Sequence, residues 1–151
     1  MRRWIAGIML ALMASPAAAT NDDIVRVKAA GDVVATMDAL EAAVTGAGAT
    51  VFARVDHAAG AAKIGDEIAP SQLLIFGNPK IGTPAMKDDA LAGLFLPLKV
   101  LVYRDGAGQV WLAYQDPQAM LSGLGGVPDD AGYIKMMTGA LGKLTGKASG
   151  M

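Results

Sequence analysis

The sequence predicts a single-domain α+β fold, in which a mainly antiparallel sheet carries helices packed on one face. Three observations indicate this fold. The chain has 151 residues, which is the length of one domain. Segments with the alternation of half-buried strands are interleaved with segments of helical spacing. Two of the strand segments flank a tight turn at Asp105–Gly108, which is typical of a hairpin and favours antiparallel pairing.

Composition argues against several classes of protein. Hydrophobic residues make up 53% of the chain and charged residues 18%, which is inconsistent with intrinsic disorder. Thirteen basic residues face 14 acidic ones without a basic cluster, so a nucleic-acid partner is not expected. The chain has no cysteine, which excludes disulfides, thiolate metal sites, a cysteine nucleophile and covalent c-type haem.

The N-terminus has the three parts of a secretory signal. Arg2 and Arg3 supply positive charge, residues 4–13 form an apolar run, and residues 17–19 are three alanines suited to cleavage. The run is about half the roughly 20 residues that a spanning helix needs. We therefore expect residues 1–19 to be a signal peptide and the mature protein to be periplasmic or secreted, and not an integral membrane protein after cleavage.

The first half of the mature chain reads as strand, helix, strand and a short helix. After a polar tail at residues 20–24, the alternation in 24–28 predicts a strand. Asp32 is a suitable N-cap for a helix that ends near Gly46. Residues 50–56 alternate as a second strand, and the small residues after it predict one or two helical turns.

The middle of the chain contains its most apolar segment. Residues 72–76 form a continuous apolar run, which predicts a strand buried on both faces. The Gly-Asn-Pro that follows ends the strand, and residues 80–84 are expected to form a loop. Residues 86–94 are predicted to be helical.

The last part of the chain is expected to hold the hairpin and two helices. Residues 98–104 and 110–114 are the hairpin strands, and Asp116 before Pro117 predicts a capped short helix. Asp129 or Asp130 is expected to cap a final helix. The domain bounds are accordingly 25–145, followed by a frayed tail at 146–151.

Several strings in the sequence resemble a bacterial family. They are FARVDHAAGA at residues 52–61, QLLIFGNP at 72–79, GTP at 82–84, LPLKVLV at 96–102 and the Asp116-Pro117 pair. Together they are similar to the DUF302 family over roughly residues 25–120. The resemblance implies a small, often exported α+β domain, and it implies no particular activity. The segment after Met120 departs from the family pattern.

His57 is the only histidine and follows Asp56 at the end of a predicted strand. A histidine there could act as a general base or a metal ligand. The alternative is that Asp56 or His57 caps the next short helix. Lys63 follows in the small-residue segment and could line the same cleft.

Three further polar residues are candidates for the site. Asn78 follows the apolar strand, where it could cap a turn, or help to hold an anion if a helix begins there. Lys99 interrupts an apolar strand, so it either borders an apolar pocket or lays its stem along the surface. Asp116 follows the last hairpin strand, near the same expected cleft.

These residues favour an exported binding module, whose cleft near His57, Asn78 and Asp116 would hold a small molecule or a protein partner. Self-association through a sheet edge would make a homodimer. One alternative is an enzyme that uses His57 as base or ligand. Another is a haem or copper carrier, because His57 and four methionines suit Cu(I) and His57 with a methionine could ligate haem, although methionine also packs irregular cores. These methionines are Met86, Met120, Met136 and Met137. No cofactor is predicted as part of the main interpretation.

Overall fold

The computed structural model of the protein describes residues 23–151, and the expected signal peptide lies outside this range. The predicted α+β architecture is confirmed by a five-stranded sheet in which every neighbouring pair is antiparallel. The order of strands across the sheet is β1-β5-β4-β3-β2. The strands are β1 (Ile24–Lys28), β2 (Thr50–Asp56), β3 (Ser71–Gly77), β4 (Leu98–Arg104) and β5 (Val110–Gln115).

Five α-helices and one 3-10 helix complete the described part of the chain. The α-helices are α1 (Val33–Gly46), α2 (His57–Lys63), α3 (Pro79–Asp88), α4 (Pro117–Leu121) and α5 (Gly132–Ala148). The 3-10 helix spans Ala90–Leu94. Two of the predicted N-caps are confirmed, because Asp32 Oδ1 accepts from Ala35 N at 2.8 Å and Asp116 Oδ1 accepts from Ala119 N at 3.0 Å.

The main core lies between one face of the sheet and the helices α1 and α5. Side chains from the sheet, α1 and α5 are almost fully buried there, among them Met37, Leu40, Val44, Leu74, Phe76, Val100, Val102, Leu112 and Leu141. A second cluster joins α3, the 3-10 helix, α4 and α5 through residues such as Ala85, Ala92, Leu121 and Met137. Residues of α5 therefore contribute to both clusters, and α5 is the element that connects them.

The expectation that β3 is buried on both faces is wrong. Its residues alternate, so that Leu74 and Phe76 are buried while Leu73 and Ile75 are only half-buried. The reason is that α1 and α5 cover one face of the sheet and leave the other face open.

The loop expected at residues 80–84 is also wrong, because α3 occupies this segment. Asn78 caps α3 and Pro79 takes its first position, where the fixed φ of proline favours a helix start. The helix predicted for residues 86–94 is divided in the structure. Helix α3 ends at Asp88, and Asp89 then caps the 3-10 helix by accepting from Leu91 N at 2.9 Å.

Two expectations about the last helix are corrected. Helix α5 begins after Ala131 without a side-chain cap, so neither Asp129 nor Asp130 has the predicted capping role. The helix also runs through Ala148, and Ser149 O accepts from Ala30 N at 2.8 Å. The predicted frayed tail is therefore wrong, because the end of α5 packs against the segment that follows β1.

At the other terminus, Ile24 pairs with Gln115 in the sheet and does not belong to a polar tail.

The two faces of β3 should respond differently to the same truncation. Leu74→Ala is expected to lower the free energy of unfolding by about 2–5 kcal/mol, because a fully buried leucine leaves a cavity. Leu73→Ala should cost clearly less, because its side chain lies on the open face and already meets water. Urea unfolding of the two variants measures both losses. Equal losses would contradict the open face.

Candidate functional site

The six candidate residues do not meet in one cleft. Thr50 pairs with Gly77 and Asp56 pairs with Gln72, so β2 and β3 end at opposite ends of the sheet. His57 and Asn78 follow these ends and are separated by the length of a strand, about 20 Å at 3.3 Å per residue. The expected cleft shared by His57 and Asn78 is therefore wrong. Asp56, His57 and Lys63 lie at one end, while Asn78, Lys99 and Asp116 lie at the other.

Asp56 has a structural role. Its Oδ1 accepts from Ala59 N at 2.8 Å and caps α2, and its Oδ2 accepts from Gln72 Nε2 at 2.9 Å. The hydrogen bond from Ala59 is the main cause that lowers the pKa of Asp56 below its ordinary value. His57 is the exposed first residue of α2, and Lys63 is exposed in the last turn of that helix. The capping interpretation of Asp56 is thus confirmed.

A polar network links this end of the sheet to α1. Gln72 Oε1 accepts from Arg54 Nε at 3.1 Å and from Nη2 at 2.8 Å. Arg54 Nη1 contacts Asp38 at 2.6 Å and Glu41 at 3.2 Å, and the bond to Asp38 is the largest cause that raises the Arg54 pKa. Since these groups satisfy one another, the network stabilises the packing of α1 on β2 and β3.

At the opposite end, two of the three candidates cap helices. Asn78 Oδ1 accepts from Lys80 N at 3.0 Å at the start of α3, and Asp116 caps α4. Lys99 is exposed on the open face of the sheet, and its Nζ donates to Phe95 O at 3.1 Å. Lys99 is thus exposed and also borders a smaller pocket of about 270 Å³ on the sheet, so the structure does not separate its two expected placements.

A cavity of about 710 Å³ lies next to Asn78, and we refer to it as the α3–α5 cavity. It is enclosed by α3, α5, the end of β3, the segment 96–98 and the chain between α1 and β2. Its size lies within the range of roughly 300–1,000 Å³ that is typical of small-molecule sites. Of the six sequence-predicted residues, only Asn78 lines it.

The walls of the α3–α5 cavity are mainly apolar. Its inner surface includes Phe76, Ile81, Leu96, Leu98 and Leu144. The polar side chains along it belong to Asn78, Thr83, Lys135 and Lys143, and no acidic residue lines it. This combination of apolar walls and few polar groups is the usual chemistry of a site for an apolar or amphipathic ligand.

Large apolar side chains are exposed at the opening of the cavity. Phe52 is 58% exposed, Met86 42% and Met136 51%, and all three line the α3–α5 cavity. Phe52 lies at an irregularity of edge strand β2, where the register shifts between Val51 and Ala53. Such a bulge redirects a side chain, and here it places the Phe52 ring at the opening. Exposed apolar surface of this kind marks a place where another molecule can bind.

Small residues provide the space that the cavity occupies. A methyl group built on Gly77 would already lie 3.4 Å from the Phe52 ring and from Pro97, so larger residues would fill this part of the wall. Gly139 and Ala140 lie on the face of α5 that borders the cavity, and the Cβ position of Gly139 has no neighbour within 4 Å. The space between α3 and α5 is therefore not filled by side chains.

Two polar contacts hold the helices around the cavity in place. Tyr133 on α5 donates its hydroxyl to Asp88 Oδ2 at the end of α3, at 2.9 Å. Burial of the ring raises the Tyr133 pKa to about 12, and the bond to Asp88 acts in the same direction. Next to it, Gly126 N donates to Asp89 Oδ2 at 3.2 Å. A Cβ on Gly126 would overlap the carbonyl oxygen of Asp88, so this close approach requires glycine.

The four methionines considered for copper are only partly brought together. Met86, Met136 and Met137 line the α3–α5 cavity, whereas Met120 lies in the second core cluster and His57 at the far end of the sheet. The core assignment is confirmed for Met120 and Met137, at 6% and 1% exposure, and is wrong for Met86 and Met136. Within residues 23–151, no group of three or more His, Asp or Glu side chains is placed to hold a metal. Haem or copper binding stays an untested alternative.

Sequence reasoning missed most of the residues around the cavity. The sequence points to Asn78 as a site residue and to Met86, Met136 and Met137 only as copper ligands, and it gives no direct reason to select Phe52, Lys135, Gly139 or Lys143. One signal was present, because Lys135, Gly139 and Lys143 recur every four residues and mark a face of α5 without large apolar side chains.

Comparison with known proteins identifies a family whose sequence pattern matches this chain and a solved structure with a similar fold. The model of the family described as "Domain of unknown function DUF302" matches residues 25–144, so the expectation that the segment after Met120 departs from the family pattern is wrong. The crystal structure of an uncharacterized conserved DUF302 protein from Bacillus stearothermophilus is similar, with a TM-score of 0.67 and 18% identity. The match covers 85% of this chain and 96% of that one. At this identity, the likeness concerns the fold.

Curated relatives come from Brucella. "Fluoride-specific ion channel FluC 1" of Brucella suis biovar 1 (strain 1330) is 39% identical over 132 residues, which cover 86% of this chain and 51% of the relative. "Fluoride-specific ion channel FluC 2" of Brucella melitensis biotype 1 has the same identity, with 86% and 48% covered. The chain thus spans about half the length of these relatives. Among the helices of residues 23–151, none is both long and apolar enough to cross a membrane.

The two neighbours at the start of α2 should differ in their effect on stability. Asp56→Ala is expected to lower the midpoint of urea unfolding, because it removes the cap of α2 and the bond to Gln72. His57→Ala should leave the midpoint nearly unchanged. Since the pKa of Asp56 is lowered in the folded state, its contribution is present above the ordinary carboxyl pKa and is lost as the pH falls below it. A larger effect of His57→Ala than of Asp56→Ala would contradict these roles.

The raised pKa of Tyr133 predicts that the folded protein becomes less stable at alkaline pH. Its pKa of about 12 in the folded protein exceeds the ordinary value of 10, so folding favours the protonated phenol. The contribution is fully present below pH 10 and is lost as the pH rises toward 12. Tyr133→Phe should be less stable than the parent protein at pH 8, and the difference should shrink by pH 11. Urea unfolding at a series of pH values measures this, and a constant difference would contradict the assignment.

Proposed function

The chain belongs to the DUF302 family, a domain of unknown function, and we propose that this member is a binding module whose α3–α5 cavity holds an apolar small molecule. The observation that carries the proposal is a cavity of about 710 Å³ with apolar walls and exposed Phe52, Met86 and Met136 at its opening. Because residues 1–19 are expected to be a signal peptide, the proposal is for a periplasmic or secreted protein.

Burial of apolar surface supplies the affinity in this proposal. Each square ångström of apolar surface removed from water contributes about 25 cal/mol, and both the ligand and the cavity wall would lose such surface. The wall is largely formed before binding, because the Tyr133–Asp88 bond and the Gly126 contact hold α3 and α5 in place. A preformed site reduces the cost of ordering the protein when a ligand binds.

Polar groups of the cavity would set the orientation of the ligand. The Oδ1 atom of Asn78 is used in capping α3, and its side-chain N–H groups have no partner among residues 23–151. Because Asn78 lines the α3–α5 cavity, these donors would be available to a ligand oxygen. A small number of convergent polar groups in an apolar site is the usual basis of specificity.

The position of His57 favours binding over the alternative of an enzyme. A general base needs a concave site with a partner group that orients it. His57 is exposed at the start of α2, away from the α3–α5 cavity, and both oxygens of the adjacent Asp56 are engaged with other groups. The channel activity named for the Brucella relatives belongs to chains about twice as long, and we do not carry it over to this one.

Filling the cavity should abolish binding of an apolar probe. N-phenyl-1-naphthylamine, whose fluorescence increases in apolar surroundings, is expected to bind the purified mature protein with a single-site isotherm. Gly139→Leu should reduce this binding at least about tenfold, because Gly139 is an exposed lining residue and the new side chain would occupy the opening of the cavity. The variant should stay folded, since leucine is a better helix former than glycine by about 0.8 kcal/mol.

Gly146→Leu is the matched control. Gly146 is an exposed glycine of the same helix, has free space around its Cβ position and does not line the cavity. This variant should bind the probe as the parent protein does. Unchanged binding in Gly139→Leu, or an equal loss in both variants, would overturn the proposed site, and no binding to the parent protein would overturn the proposed function.

A further inference from the structure

We propose that the occupant of the α3–α5 cavity is an amphiphile with an acidic headgroup, which lies at the opening between Lys135 and Lys143 while its apolar part fills the cavity. This inference rests on the proposed function and specifies the class of ligand. The headgroup chemistry is that of a carboxylate or a phosphate monoester attached to an apolar chain.

The charge around the opening has a single sign. Lys135 and Lys143 are the charged side chains that line the α3–α5 cavity, and no aspartate or glutamate lines it. Both lysines are exposed, and neither forms an ion pair with another residue of the range 23–151. The opening therefore presents positive charge that no neighbouring carboxylate neutralises, which favours an anionic group over a neutral or cationic one.

The arrangement of the two lysines on α5 leaves a place for a headgroup. Lys135, Gly139 and Lys143 are spaced by four residues and lie along one face of the helix. At a rise of about 1.5 Å per residue, the two lysines are roughly 12 Å apart along the axis. Gly139 between them has no side chain, and its Cβ position is open. An acidic group above Gly139 can be approached by flexible ammonium groups from both sides.

The division into an apolar interior and a charged opening indicates how the ligand is oriented. An acidic group carried into the apolar interior would lose its hydration without an ionic partner, which is costly. At the opening, the group stays partly hydrated and meets the lysines. The lysine stems themselves can lie along the apolar wall while their ammonium groups reach water. The apolar part of the ligand then lies inward, against residues such as Ile81 and Leu96.

Helix α5 also carries a lysine that lies outside the cavity. Lys147 is one turn beyond Lys143 on α5 and is also exposed, but it does not line the cavity. It therefore has the same type of side chain, on the same helix, without access to a bound headgroup. This makes Lys147→Gln a matched control for substitutions of Lys135 and Lys143.

Ligands with the same chain and different headgroups test the inference. Dodecanoate, dodecyl phosphate, dodecanol and dodecyltrimethylammonium are each used to displace N-phenyl-1-naphthylamine from the mature protein. The double variant Lys135→Gln/Lys143→Gln is expected to bind the better of the two anions about fivefold more weakly, given the strength of exposed ion pairs. Its affinity for dodecanol should change less than about twofold, and Lys147→Gln should resemble the parent protein. Added salt should weaken anion binding in the parent protein and have less effect in the double variant.

The outcomes separate this inference from the proposed function. A preference of the parent protein for dodecanoate or for dodecyl phosphate identifies the headgroup as carboxylate or phosphate. If the double variant weakens the anions and dodecanol equally, or if the cationic amphiphile binds best, the headgroup assignment is overturned while the cavity remains a binding site. If none of the amphiphiles displaces the probe from a protein that binds it, the amphiphile class is overturned. If the probe itself does not bind, both proposals fail.

Discussion

Antiparallel pairing of β2 with β3 is the constraint that determines which side chains of this protein can meet. Because Thr50 lies opposite Gly77 and Asp56 opposite Gln72, the chain leaves successive strands at opposite ends of the sheet. Helix α2 therefore starts at one end and α3 at the other. The segment that follows α1 enters β2 beside the end of β3, and this brings Ala47 and Ala49 to the same wall as Asn78. The α3–α5 cavity lies at this end, where α3 and α5 meet the sheet.

Helix α5 connects the main core, the second core cluster and the cavity. Leu141 and Leu144 pack in the main core, and Tyr133, Ile134 and Met137 pack in the second cluster. The remaining face carries Gly139 and Ala140, which are too small to close the space toward α3. Since the buried residues of α5 are fixed on two sides, the helix cannot move inward to remove this space without losing contacts elsewhere. The cavity is thus a consequence of how α5 is held.

Local features of the fold could be predicted from the sequence, and features that depend on tertiary packing could not. Asp32 and Asp116 act as caps through bonds to residues three positions away, so their roles are visible in a short window. Gly82 and Pro84 disfavour a helix in the segment 80–84, yet the cap at Asn78 and the packing of Ala85 outweigh this local preference. Residues of the cavity come from distant parts of the chain. Phe52, Met86 and Lys143 line the same cavity only because the strands and helices pack together in the folded protein. Placing His57 and Asn78 together is wrong because β2 and β3 are antiparallel neighbours, and a mainly antiparallel sheet can be predicted from the sequence without showing which strands are neighbours.

The irregularity at Phe52 also affects the outer border of the sheet. Strand β2 is an edge strand, and the shift of register between Val51 and Ala53 interrupts its regular row of backbone donors and acceptors. The other edge strand, β1, carries Arg26 and Lys28, whose charges disfavour pairing with a strand of another molecule. Both borders are therefore poor templates for strand addition from another molecule. The exposed Phe52, Met86 and Met136 therefore occur in a protein whose sheet borders do not favour fibrous aggregation at high local concentration.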